Sequence, residues 1–332
     1  MKHKTLILKV KMKTALFALI ALLTFAPAEN LHAQGAEGPP AWAYPTNPPD
    51  FKAVPDDGTI RRVPGSKAGY TLTQVRDLFL SPDWHPADYP ARPEIVAGGR
   101  KPDVFACGVC HRADGPGGPE NANLTGLPAA YIVQQMADFK SGARKNAAPR
   151  EPMLRKAMVA NAVSDADLQT AAAYFASIKP RSIVRVVETS TVPKTYITGN
   201  HLAPVKSGET EPLDQRIIEV PDDLERFVSR DTRASFTAYV PPGSIKKGQT
   251  LAADGGGGKT VPCAICHGPG LKGLGPIPGI AGRSPSYTVR QLYDFKHGTR
   301  AGSGSALMTP AVEKLTLDDM IYLAAYAASL TP

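Results

Sequence analysis

The chain has 332 residues, 42% hydrophobic and 20% charged, which is length for two or three packed domains and too apolar a composition for a disordered chain. Its formal charge is +8, but residues 1–33 hold five Lys and one Glu. The remainder is therefore near +4, and the basic balance is no argument for a nucleic-acid partner.

Residues 1–33 read as an export signal. Lys2, Lys4, Lys9, Lys11 and Lys13 precede an apolar run from Ala15 to Ala26, with cleavage expected after Ala33, or after Ala28 as the second choice. The run falls short of the ~20 residues of a comfortable span, so stable membrane insertion is not expected once the signal is removed. A periplasmic location follows, the alternative being an N-terminal anchor facing the periplasm. Residues 34–92 form a Pro/Gly-rich extension. It reads as an extended arm, a helix over 73–80 and a loop over 82–93 that carries Trp84, His85 and Tyr89. His85 is read as a packing or surface residue.

A short helix is expected near 93–99. Then comes Cys107-Gly108-Val109-Cys110-His111, which recurs as Cys263-Ala264-Ile265-Cys266-His267. C-x-x-C-H is the attachment signature of c-type haem: the thiols add to the haem vinyl groups and the following His ligates iron. The two pentads use all four cysteines. A zinc knuckle pair would want roughly 15–20 residues between its C-x-x-C motifs, and neither zinc, thioredoxin-like nor disulfide readings require the His. Two covalent haem c groups are expected, with His111 and His267 as proximal iron ligands. Their propionates would bring the holoprotein close to neutral.

The pentads sit inside a longer repeat. A shift of 156 residues superposes 107–144 on 263–300 without a gap. Matched residues include Tyr131 with Tyr287, Gln135 with Gln291, Asp138-Phe139-Lys140 with Asp294-Phe295-Lys296, and Arg144 with Arg300. In each copy a Gly/Pro-rich loop follows the pentad, and Leu124 and Ile280 in these loops should pack on the haem. An amphipathic helix follows, at 128–141 with Ile132, Met136 and Phe139 on one face, and at 285–297 with Thr288, Leu292 and Phe295. Gly142 and Gly298 stand where the helices should end. Closing helices start at Ser164 and Thr316, each with Asp three residues on, and run to about Ser177 and Ser329. Another short helix is expected at 244–252.

The sixth iron ligand decides between electron transfer and open-iron chemistry. In the second copy Met308 lies in an irregular loop and is the expected ligand, Met320 being core. In the first copy Met153, placed in a loop after Pro152, is preferred, with Met158 as the alternative; Met136 is core. Tyr131, Tyr287, Arg144 and Arg300 either bond haem propionates or pack helix ends. His201 and His297 read as surface residues. Between the copies, 181–242 turns strand-like at 183–187, 216–220 and 236–240.

CGVCH, CAICH, the D-F-K-x-G-x-R runs at 138–144 and 294–300 and the S/T-x-x-D helices resemble class I cytochrome c domains. Their tandem arrangement is similar to periplasmic diheme cytochromes of the cytochrome c4-like type. The resemblance covers about 93–180 and 243–332 and implies a mainly α protein with two class I domains, His/Met-ligated haems and a soluble electron-carrier role. The segments 34–92 and 181–242 depart from it. The carrier would accept electrons from a dehydrogenase or quinol-oxidising complex and pass them to an oxidase or reductase. The rivals are a diheme peroxidase-like enzyme with one open haem, and the electron-accepting subunit of a larger dehydrogenase.

Overall fold

The structure, a computed structural model, describes residues 38–332; the export signal read over 1–33 lies outside the described residues. Helices build both copies of the repeat, and the strands among the described residues are confined to 184–240.

In the first copy, the helix Glu94–Ala97 leads into the short helix Cys107–His111, followed by Ala129–Lys140, Glu151–Ala162 and Asp165–Ser177. Ser164 caps the last of these by accepting a hydrogen bond from Asp167 N, which satisfies one otherwise orphaned donor. The helix Ala129–Lys140 ends where Gly142 turns to a φ of 74°, a region that costs a side-chain-bearing residue but not glycine. Its Ile132 joins Ile95, Val96, Ala172 and Phe175 in the first core. The helix Glu151–Ala162 replaces the loop expected around Met153. Pro152 stands in its first turn, where the missing N–H has no intrahelical partner to lose.

The second copy repeats the order with Ser244–Asp254, Ala264–His267, Pro285–Lys296, Thr309–Val312 and Leu317–Ser329. The last helix carries a full capping box, Thr316 and Asp319 each bonding the other's backbone N–H. Its buried face includes Met320, Ile321 and Ala324, so Met320 is core as expected. Along Pro285–Lys296, however, Val289 and Tyr293 are the buried apolar residues. Thr288, Leu292 and Phe295, expected to be the core face, are only half-buried, and Leu292 and Phe295 pack in one cluster with Cys263 and Met308. The first and last helices of this copy cross at Gly248, where a Cβ would overlap the carbonyl oxygen of Tyr322.

Between the copies, Val184–Glu188 pairs in parallel with Phe236–Val240, which pairs antiparallel with Ile218–Pro221. These correspond, within two residues, to the three strand-like runs of the sequence. Two small antiparallel pairs, Thr191–Pro193 with Thr210–Pro212 and Thr195–Thr198 with His201–Pro204, were not anticipated. The three-stranded sheet packs Ile183 and Phe236 against Ala328 of the closing helix.

The N-terminal extension is tied down rather than loose. Tyr44 donates to Asp294 Oδ1 at 2.8 Å, Trp84 Nε1 donates to Ser229 O at 2.7 Å, and His85 Nε2 meets Asp231 Oδ1 at 3.0 Å. Trp84 and His85 are buried in that contact. The helix expected over 73–80 is only Leu72–Arg76, because Asp77 leaves helical geometry and its carboxylate accepts from Phe79 N instead. His201 is a further correction. It is buried with its ring 4.0 Å from that of Phe227, whereas His297 is exposed and stacks on Tyr293.

Candidate haem sites

Cys107, Cys110 and His111 fall at i, i+3 and i+4 of one helical turn, so the helix presents all three on one face. Arg112 ends the turn with a φ of 64°. His111 Nδ1 donates to Ala122 O at 2.8 Å, which fixes the tautomer and leaves Nε2 as the free lone pair. Burial first, then the neighbouring Lys156 charge, pushes the imidazole down to about 3, so it is neutral at pH 7, the state that ligates a metal. The pentad opens on a cavity of about 660 Å³ counted out to open solvent. Its apolar wall is Leu124, Ile132, Met136, Leu168 and Phe175. Met136, expected as core, is buried and also faces this cavity.

The second pentad follows the same plan. His267 Nδ1 donates to Pro278 O at 2.8 Å, and burial lowers its pKa. The accepting carbonyl lies eleven residues after the histidine in both copies, a detail that spacing alone did not single out. Gly117 and Gly273 N–H groups bond the carbonyls of His111 and His267 and fold each loop back under its imidazole. Cys263 contacts one cluster containing Leu292, Phe295 and Met308 and another containing Ile280. Burial pushes the thiols of Cys107 and Cys263 up to about 11.

Arg144 and Arg300 cross between the copies. Arg144 donates to Gln135 of its own copy at 2.7 Å and to Tyr287 and Gln291 of the other at 2.9 and 3.0 Å. Arg300 mirrors it, reaching Gln291 at 2.9 Å and Tyr131 and Gln135 at 2.8 Å each. Backbone bonds from Lys145 N to Thr299 O and from Ala301 N to Ala143 O, each 2.7 Å, lock this seam. The two guanidiniums are 8% exposed and, among the described residues, have only neutral side-chain partners. Burial raises the Tyr131 phenol, but Arg300 and Arg144 outweigh it and leave it lowered. Buried cations without counter-charge are costly, and haem propionates are anions of the kind this donor set suits. Paired thiols, a neutral imidazole with Nε2 free, an apolar wall and uncompensated arginines fit covalently attached haem.

Met153 and Met158 fall elsewhere. Pro152, Arg155, Lys156 and Val159 turn toward the first cavity; Met153 and Met158 do not line it. Met153 is helical and half-buried, and Met158 is 55% exposed, not buried. The group that approaches the proximal imidazole is Lys156, whose Nζ is 3.1 Å from His111 Nε2.

Residues 102–179 match the family described as cytochrome c. Cytochrome c-554(548) of Halomonas halodenitrificans is 38% identical over 68 residues, which are 20% of this chain and 82% of that protein. The chain is a member of the cytochrome c family. Cytochrome c4 of Stutzerimonas stutzeri is 25% identical over 68% of this chain and 85% of its own length. The thiosulfate dehydrogenase electron acceptor of Stutzerimonas stutzeri (strain A1501) is 26% identical over 79% and 94%. This cytochrome is a diheme, cytochrome c4-like protein with two covalently attached haem c groups, and its role is electron transfer. Among the described residues of the cytochrome, no helix is long and apolar enough to cross a membrane.

Proposed function

We propose that the protein is an exported electron shuttle that accepts single electrons from a periplasmic dehydrogenase and passes them to a downstream oxidase or reductase. The supporting observation is the pair of like pentad turns, each with its imidazole held from a carbonyl eleven residues on, in two copies joined at the Arg144–Arg300 seam. The similarity to a protein named as an electron acceptor for thiosulfate dehydrogenase favours a dehydrogenase as the upstream partner.

In this reading Cys107 and Cys110, and Cys263 and Cys266, anchor the two haems. His111 and His267 bind the iron through Nε2, because Nδ1 is committed to a carbonyl. Met308 supplies the sixth ligand of the second haem, and a thioether there raises the potential. The haems supply one-electron chemistry; the protein holds them, buries them and sets their separation. Leu124 and Ile280 pack on the haem faces. Arg144 and Arg300, with Tyr131 and Tyr287, offset propionate charge between the two sites. The segments 34–92 and 181–242 belong with the two cytochrome domains, 93–180 and 243–332, as a brace.

Stoichiometric reductive titration of the mature protein should take up two electrons, and the reduced protein should not turn over peroxide. High-spin iron together with peroxide turnover would refute the carrier role. Co-purification as a fixed subunit of a dehydrogenase would refute the free shuttle.

A further inference from the structure

The two copies differ in the residue that stands ahead of the closing helix. The closing helices start at Ser164 and Thr316. Counting back eight residues from Thr316 reaches Met308, and counting back eight from Ser164 reaches Lys156. Counting forward from the pentads with the 156-residue shift places Pro152 opposite Met308. Pro152 and Lys156 are one turn apart on the same face of Glu151–Ala162, and both line the first cavity. By either registration, no methionine of the first copy occupies the place that Met308 holds in the second.

Lys156 also approaches the imidazole in space. Its Nζ is 3.1 Å from His111 Nε2, the nitrogen left free by the Nδ1 bond to Ala122. The imidazole is its hydrogen-bond partner among the described residues. Metal–nitrogen bonds are about 2 Å, so two nitrogens on opposite sides of one iron stand about 4 Å apart. A retreat of about 1 Å lies within the reach of a lysine stem with four methylenes.

We propose that Lys156 is the sixth ligand of the first haem, so that the cytochrome carries one His/Lys and one His/Met haem at different potentials. This rests on the diheme carrier reading and deepens it. The neutral amine donates its lone pair to iron where the second copy uses a thioether. Axial-ligand identity sets haem potential, and thioether ligation raises it. The first haem is therefore the low-potential member of the pair and the second, through Met308, the high-potential one. An electron entering at the first copy would then have a downhill path across the Arg144–Arg300 seam.

The test is the oxidised full-length protein with both haems attached. Its far-red sulfur-to-iron charge-transfer band should account for one haem of the two, with both irons low-spin by electron paramagnetic resonance. Met308→Leu should abolish the band; Met136→Leu, Met153→Leu and Met158→Leu should leave it unchanged. Lys156→Met should double it and raise the lower of the two midpoint potentials, and Lys156→Ala should open one haem per chain to added imidazole. A wild-type band accounting for both haems, or an unaltered first-haem signal in Lys156→Ala, overturns the assignment while leaving the carrier role standing. High-spin iron in the wild type overturns both.

Discussion

Replacing Gly248 with alanine tests the crossing that closes the second haem domain. In an isolated helix the change should help, since Ala is favoured over Gly by about 1 kcal/mol. Here the added Cβ meets the carbonyl oxygen and carbon of Tyr322 and the Cβ of Tyr326. The obstruction is chiefly backbone and cannot rotate aside, so the helices Ser244–Asp254 and Leu317–Ser329 must separate. Overpacking of this kind costs about 1–3 kcal/mol. The rigid contact puts Gly248→Ala at the upper end, about 2 kcal/mol net loss once the propensity gain is subtracted. At about 2–4 °C per kcal/mol for a chain of this size, the melting temperature of the holoprotein should fall by about 4–8 °C. Circular dichroism in the far ultraviolet, with the haem band followed in parallel, measures it. Gly304→Ala is the control, because nothing lies within 4 Å of its Cβ position and its φ is −81°; it should be neutral or slightly stabilising. A Gly248→Ala protein as stable as Gly304→Ala would show that the two helices do not cross at that glycine.

Acid stability should report on the cap of the last helix. Burial opposes it, but hydrogen bonds from Thr316 and Lys259 hold the Asp319 carboxyl below the usual carboxylate range. A group depressed on folding contributes stability above its unfolded pKa and loses it as pH falls through the folded one. Asp319→Asn should therefore lose about 0.3–1 kcal/mol at pH 7 through the charge removed from the helix N-terminus and show a shallower loss of stability below about pH 4, read as denaturant midpoints across pH. Replacing Cys107 and Cys110 together with alanine should leave one covalent haem per chain by pyridine haemochrome assay, retaining the Met308 sulfur band; retention of two haems would contradict the attachment sites.

The attachment chemistry was legible because it is local. Two thiols and an imidazole within one turn need no tertiary contact to declare themselves, and the 156-residue repeat made chance coincidence untenable. The closing helices were legible through their caps. The expectation of Met153 or Met158 as the first haem's sixth ligand rests on residue type, and neither side chain lines the first cavity. Spacing alone points elsewhere, since a count of eight back from Ser164 reaches Lys156. The loop expected around Met153 is a helix, because a first-turn proline such as Pro152 loses no helix hydrogen bond. His201 was read as surface because no motif surrounds it, and only the fold packs it under Phe227.

The repeated Tyr, Gln and Arg positions were visible as identities, but not their direction. Each arginine bonds across to the other copy, a contact 143 to 169 residues away in sequence, and periodicity carries no information at that range. The same holds for the extension: Tyr44, Trp84 and His85 could be named as packing candidates, but their partners Asp294, Ser229 and Asp231 lie far along the chain. By itself the sequence determined two haem sites, their proximal histidines and a tandem helical plan, because short-range covalent and helical geometry encodes them. Tertiary structure alone decided that Lys156 approaches the His111 imidazole and how the two copies meet, because those depend on helices and loops brought together from distant parts of the chain.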